Sequence, residues 1–167
     1  RIPSYSKQSL SNYSYVEEVG ENEQLDPYYF APSLIKVISE TPGQEIATHT
    51  LSHYYCLEEG QTDEEFEADL EATINLSVAK GHKVKSIVFP RNQFGPQHIE
   101  ICKKYGITKY RGTPTSWAYR STTGDKQSRL RRALRLIDAY SGLLGSQAFR
   151  LSDRNDGNVP ASRFLRP

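Results

Sequence analysis

The chain has 167 residues and a mass of 19.0 kDa, about one domain's length with a single buried core. With 37% hydrophobic and 25% charged residues and a mean hydropathy of -0.65, and no apolar run near the roughly 18 residues of a membrane span, a membrane-embedded protein is excluded. The net charge of +1 hides a split: residues 1–108 carry nine Lys or Arg against sixteen Asp or Glu, and residues 109–167 carry twelve against four. A basic half can mark a nucleic-acid surface. No zinc-finger, RNP-like or helix-turn-helix pattern accompanies it, so nucleic acid is not an expected partner. Cys56 and Cys102 are too few for a disulfide scaffold and form no CxxC pair.

Residues 1–30 are rich in Ser, Asn and Tyr without helical or strand periodicity, which predicts an irregular peripheral segment packed over a larger body by its aromatic side chains. Pro32 opens a helix with Leu34, Ile35 and Ile38 on one face, stopped by Thr41, Pro42 and Gly43. Residues 45–48 read as a short strand. Thr62 and Glu65 fit a capping box, and Phe66, Leu70, Ile74 and Val78 recur every four residues up to Gly81, predicting a helix over 63–80. Residues 84–89 are an apolar, β-branched strand ended by Pro90. Gly95 and Pro96 open a helix that runs to Tyr105, and residues 107–111 form a further strand. Residues 125–141 give a last helix with Leu130, Leu134, Ile137 and Tyr140 inward; residues 142–167 read as irregular. Strands alternating with helices imply right-handed crossovers and a parallel α/β sheet or barrel.

In such architectures, functional residues sit in loops at the carboxyl ends of strands. Here those loops are HTLSHYYC, PRNQFG and RGTPTSW. Within the first, His49 and His53 have the i, i+4 separation that sets two imidazoles on one side of a helical turn, within reach of a single metal. Imidazole suits zinc, iron, cobalt or nickel, and a third ligand, typically a carboxylate, leaves positions for water and substrate. The same spacing also fits two histidines on a polar loop.

Residues 45–53, EIATHTLSH, resemble the H-[ST]-x-x-H segment of the NodB-homology polysaccharide deacetylases, carbohydrate esterase family 4. The acidic helix with Phe66 and Asp69, the strand leading into Pro90, Arg91, Asn92 and Gln93, and Gly106-Ile107 before Tyr110, Arg111 and Gly112 follow in that family's order. The resemblance covers roughly residues 28–120. It implies a distorted (β/α) barrel of parallel strands with one divalent metal ion at its C-terminal rim, zinc being the first choice, held by His49, His53 and one further ligand. It also implies that Arg91 orients a catalytic aspartate by a charge-assisted hydrogen bond, and that Arg111 and Trp117 contact substrate.

The departures from the family pattern are specific. No upstream strand ends in paired aspartates, no late histidine provides a general acid, and Asn92, Gln93 and Phe94 replace the usual Pro and Tyr after the arginine. Trp117 lacks its accompanying aspartate, so a core tryptophan is an equal reading. Arg91 also suits a surface arginine whose stem covers apolar side chains. The chain begins at Arg1 and contains no methionine, and with two motifs missing, a single but partial deacetylase domain over 1–167 is expected. Arg129, Arg131, Arg132 and Arg135 crowd one helix, as a solvated basic face or as a contact for a phosphate-bearing lipid carrier or nucleotide sugar.

The expected function is metal-dependent hydrolysis of N-acetyl groups from a sugar in a polysaccharide or its precursor, in a bacterium, with the cytoplasm ahead of the cell envelope as its location. The partner is an N-acetylated carbohydrate, and no oligomeric state follows from the sequence. Two rivals remain: a cyclic imide or ureide amidohydrolase on the same scaffold, and a non-enzymatic carbohydrate-binding domain in which His49 and His53 diverge.

Overall fold

A computed structural model of the chain describes residues 3–13, 18–113, 116–119, 128–145 and 156–160. Four helices are present: α1 (Pro32–Glu40), α2 (Asp63–Ala79), α3 (Pro96–Lys104) and α4 (Arg129–Ser141). Three short strands, β1 (Ser86–Val88), β2 (Lys109–Gly112) and β3 (Asn158–Pro160), form one sheet in the order β1-β2-β3 with both pairings parallel. In register, Val88 lies opposite Arg111, and Arg111 opposite Val159.

The expected parallel α/β arrangement is present, but the distorted barrel is not: among the described residues the sheet stays open at three strands. A closed barrel of this kind needs about eight. The strand expected at residues 45–48 contracts to a single parallel bridge between Thr48 and Ile87 on the free side of β1. There Thr48 N donates to Ser86 O at 3.0 Å and Val88 N donates to Thr48 O at 2.9 Å. Residues 142–167 are not uniformly irregular, since β3 lies within them. The expected start of the last helix at residues 125–127 and part of the RGTPTSW loop fall outside the described residues.

The core is built where the periodic apolar residues meet. Phe66 and Leu70 of α2, Ile87 of β1, Phe89 just beyond it, Cys102 of α3 and Ile107 before β2 are all buried in one cluster with Tyr54, Cys56 and Val84. Both cysteines are therefore core residues carrying free thiols, and burial pushes the Cys102 thiol up to about 12. Thr62 caps α2 as its sequence position predicts, its Oγ1 accepting from Glu65 N at 3.2 Å. The reciprocal half of the box is missing. Instead the Glu65 carboxylate accepts from Ser4 Oγ at 2.6 Å, tying the N-terminal segment to α2.

That segment packs as expected at Tyr5, which is buried and whose hydroxyl accepts from Tyr55 N at 2.9 Å, whereas Tyr28 and Tyr29 are exposed. Two helices depart from their apolar periodicity. α1 buries no residue, and Leu130, Ile137 and Tyr140 of α4 face solvent instead of the core. α4 meets its neighbours through Arg131 and Asp138 instead. Among the described residues, no helix is long and apolar enough to cross a membrane.

Candidate metal centre

Thr48 and β1 run in the same direction, so the loop that follows each emerges at one end of the sheet. The first carries His49 and His53; the second carries Arg91, Asn92 and Gln93. The histidine rings stand with centroids 4.7 Å apart, and His49 Nδ1 lies 2.6 Å from the carbonyl oxygen of Val88. A carbonyl only accepts, so Nδ1 carries a proton, the tautomer that in a neutral ring leaves the lone pair on Nε2. In metal sites a hydrogen bond of this kind fixes the tautomer and orientation of a ligating imidazole.

Helical spacing is not what brings the rings together. Residues 49–53 are a loop, with Thr50 at φ 63° and His53 at φ 55°. Arg91 and Asn92, at φ 52° and 53°, are the other two non-glycine residues with positive φ among the described residues. All four lie in the two loops at this rim. Such backbone costs of order 1 kcal/mol or more per residue and persists only where surrounding bonds over-determine it.

Those bonds are present. Asp69, buried on α2, accepts from the backbone N–H of Leu51 at 2.8 Å and of Ser52 at 2.9 Å. Thr50 Oγ1 accepts from Tyr54 N at 2.7 Å, and Thr48 Oγ1 accepts from Thr50 N at 3.0 Å. The loop is thus fixed from the helix side and from within.

A row of side chains extends from the histidines. The ring of Tyr55 meets His53 edge-on, with centroids 5.1 Å apart, and the Arg91 guanidinium lies 4.3 Å from the Tyr55 centroid on its other contact. Arg91 Nη1 is 3.9 Å from Glu58 Oε1, and the same carboxylate accepts from Gln93 Nε2 at 2.6 Å. Gln93, only 1% exposed, also accepts from Leu57 N through its Oε1 at 3.3 Å. The acid beside Arg91 is thus Glu58, which lies within residues 28–120. Partial burial, and then the charges of His49 and Arg91, hold His53 below the ordinary imidazole range. A neutral imidazole is the form that ligates a metal.

The remaining expected site residues are Arg111 and Trp117. Arg111 is exposed on β2, opposite Val88 in register. Trp117, in the short turn Trp117–Tyr119, is 54% exposed and therefore not a core residue. Its ring lies 5.4 Å from the guanidinium of Arg131 on α4.

Sequence reasoning did not assign roles to Asp69 and Glu58. The signal for Asp69 was available: an acid between Phe66 and Thr73 on the buried stripe of an amphipathic helix must find hydrogen-bond donors. Glu58 had no such signal, because its partners come from a loop 35 residues away.

The donor set fits a metal in part. His49 and His53 offer two imidazoles side by side, one with its tautomer set, as a zinc-type centre uses. Among the described residues, no third His, Cys, Asp or Glu joins them within reach of a common ion. Compared with known proteins, the chain matches no family model, no curated protein and no solved structure.

Proposed function

We propose that the chain is the histidine-pair portion of a metal-dependent hydrolase that removes N-acetyl groups from a sugar in a polysaccharide or its precursor. The observation that carries the reading is the paired geometry of His49 and His53, with His49 Nδ1 held by the Val88 carbonyl. A carbohydrate-binding domain without catalysis gives the two histidines no reason to converge, and no reason to strain the backbone at Thr50 and His53.

In this reading His49 and His53 hold one divalent ion, zinc foremost. When bound, such an ion supplies a Lewis acid for the acetamide carbonyl and lowers the pKa of a water toward about 7. The chain's own residues do the positioning. Val88 fixes the His49 ring, Asp69 fixes the loop between the histidines, and the depressed basicity of His53 keeps its ring neutral at neutral pH. Arg91 brings a permanent positive charge to the rim, where it would orient a carboxylate able to accept a proton. Arg111 and Trp117, exposed on β2 and on the turn before α4, are the groups proposed to contact the sugar.

The test is calorimetric titration of the full-length protein with zinc, paired with an assay for free amine released from N-acetylglucosamine oligomers. One ion per chain and measurable deacetylation are expected, with both lost in His49→Ala. If His49→Ala and His53→Ala bind zinc as the unaltered protein does, the metal centre is elsewhere and the reading fails.

A further inference from the structure

Helix α4 turns two charged side chains inward. Arg131 and Asp138, seven residues apart and so on one face, are both buried, Asp138 to 2%. Arg131 Nη2 donates to Trp117 O at 2.5 Å, and Asp138 accepts from Tyr119 OH and from Leu144 N, each at 2.7 Å. These bonds set the rotation of the helix about its axis.

The opposite side is consequently apolar and open. Leu130, Ala133, Ile137 and Tyr140 form one stripe, all exposed, Leu130 at 64% and Tyr140 at 68%. Leu143, just past the cap, adds to it. Arg129 and Arg132 are exposed along one border of the stripe, and Trp117 stands beside the helix with half its surface in water.

We infer that α4 and Trp117 form a surface that docks on anionic phospholipid bilayers. An apolar stripe bordered by arginines, with Trp and Tyr at its margin, matches the requirements of a helix lying in the membrane interface. Leu130 and Ile137 enter the acyl boundary, Arg129 and Arg132 meet lipid phosphates, and the amphipathic Trp117 and Tyr140 rings sit at headgroup depth. Charge selects this occupant over a second copy of α4. The open side carries Arg129 and Arg132, while the helix's one acid, Asp138, is turned inward, so two such faces repel, whereas a negative bilayer attracts both arginines. The inference uses no residue of the metal centre and shares only Trp117 with the proposed sugar contacts.

Trp117 is the only tryptophan of the chain, which provides a direct readout. Vesicles of phosphatidylcholine and phosphatidylglycerol in equal parts should shift its emission to the blue and carry the protein into the pellet; pure phosphatidylcholine vesicles should do neither. Arg129→Gln with Arg132→Gln should weaken partitioning about thirtyfold, the product of two arginine contributions. Leu130→Ser with Tyr140→Ser should abolish the shift while circular dichroism stays unchanged, since neither side chain supports the fold. Absence of pelleting and of the shift overturns the inference. So does equal binding to uncharged vesicles, or binding that survives loss of Leu130 and Tyr140. Concentration-dependent dimerisation that disappears in the Leu130→Ser, Tyr140→Ser variant would assign the face to a second copy instead and also overturn it.

Discussion

The buried carboxylate of Asp69 accepts from the backbone N–H of Ser52 at 2.9 Å and, through its other oxygen, from Leu51 at 2.8 Å. One helix residue thereby holds the segment between the two candidate metal ligands. Replacing one oxygen with an amide that donates sets a donor against a backbone donor. Asp69→Asn should therefore cost about 2 kcal/mol of stability, in the range for a hydrogen bond to a charged group. It should also weaken zinc binding roughly tenfold to a hundredfold, as loss of a group that holds metal ligands in place does. Denaturant titration and zinc calorimetry on the same variant check both effects. Unchanged zinc affinity would separate Asp69 from the histidine pair.

His98 provides a pH dependence of known sign. Its Nδ1 accepts from Gly95 N at 2.8 Å, capping α3, and its Nε2 lies 3.3 Å from Asp63 of α2. Burial holds its pKa below the ordinary imidazole value of 6.5, outweighing the opposing effect of Asp63. The unfolded chain therefore binds more protons than the folded one in this range, and stability rises with pH. The His98 contribution is complete above the unfolded value and is lost as pH falls below 6.5 toward the depressed folded value. Protonation would also remove the acceptor that caps α3. Denaturation midpoints measured from about pH 8 down to about pH 5 should fall more steeply for the unaltered chain than for His98→Gln.

Local signals made some of this structure readable in the sequence. The Thr62 cap and the recurrence of Phe66, Leu70, Ile74 and Val78 at every fourth residue define α2 without reference to anything distant, and α2 spans Asp63–Ala79. The rotation of α4 was not readable in the same way. Periodicity says that Leu130 and Ile137 share a face, but the direction of that face is decided by the Trp117 carbonyl and the Tyr119 hydroxyl, which claim Arg131 and Asp138. The strand β3 was hidden because Asn158 and Pro160 have poor strand propensity. At the candidate site, the pairing of His49 and His53 was expected from helical spacing. Their rings do meet, but on a loop with left-handed backbone held by Asp69, a tertiary cause that spacing cannot express.

Gly157 is what allows β3 to join the sheet. It has φ 74°, and a Cβ there would lie 2.1 Å from the Thr108 carbonyl oxygen, while its own carbonyl accepts from Tyr110 N at 3.0 Å. Gly157→Ala combines a left-handed alanine with a collision against backbone that cannot move aside. A loss of about 2 kcal/mol or more is expected. It should appear as faster amide exchange at Tyr110, whose N–H has Gly157 as its partner. Zinc affinity should be retained, because the histidine pair stands on the other side of β1.

Arg91 separates charge from geometry at the rim. Its guanidinium stacks on Tyr55 at 4.3 Å and lies 3.9 Å from Glu58, while its backbone sits at φ 52°. Lysine keeps the positive charge but lacks the planar fork that both stacks on a ring and grips a carboxylate bidentately. If Arg91 orients the proton-accepting carboxylate, Arg91→Lys in the full-length protein should lower turnover about a hundredfold, the scale of a misplaced catalytic group. Zinc content should stay near normal, since Arg91 donates nothing to a metal. Full activity would return Arg91 to covering Tyr55 with its stem and make the likeness of the PRNQ segment to the deacetylase motif coincidental. Loss of zinc with loss of activity would show that the stacking of Arg91 on Tyr55, and the edge-on contact of Tyr55 with His53, supports the metal site itself.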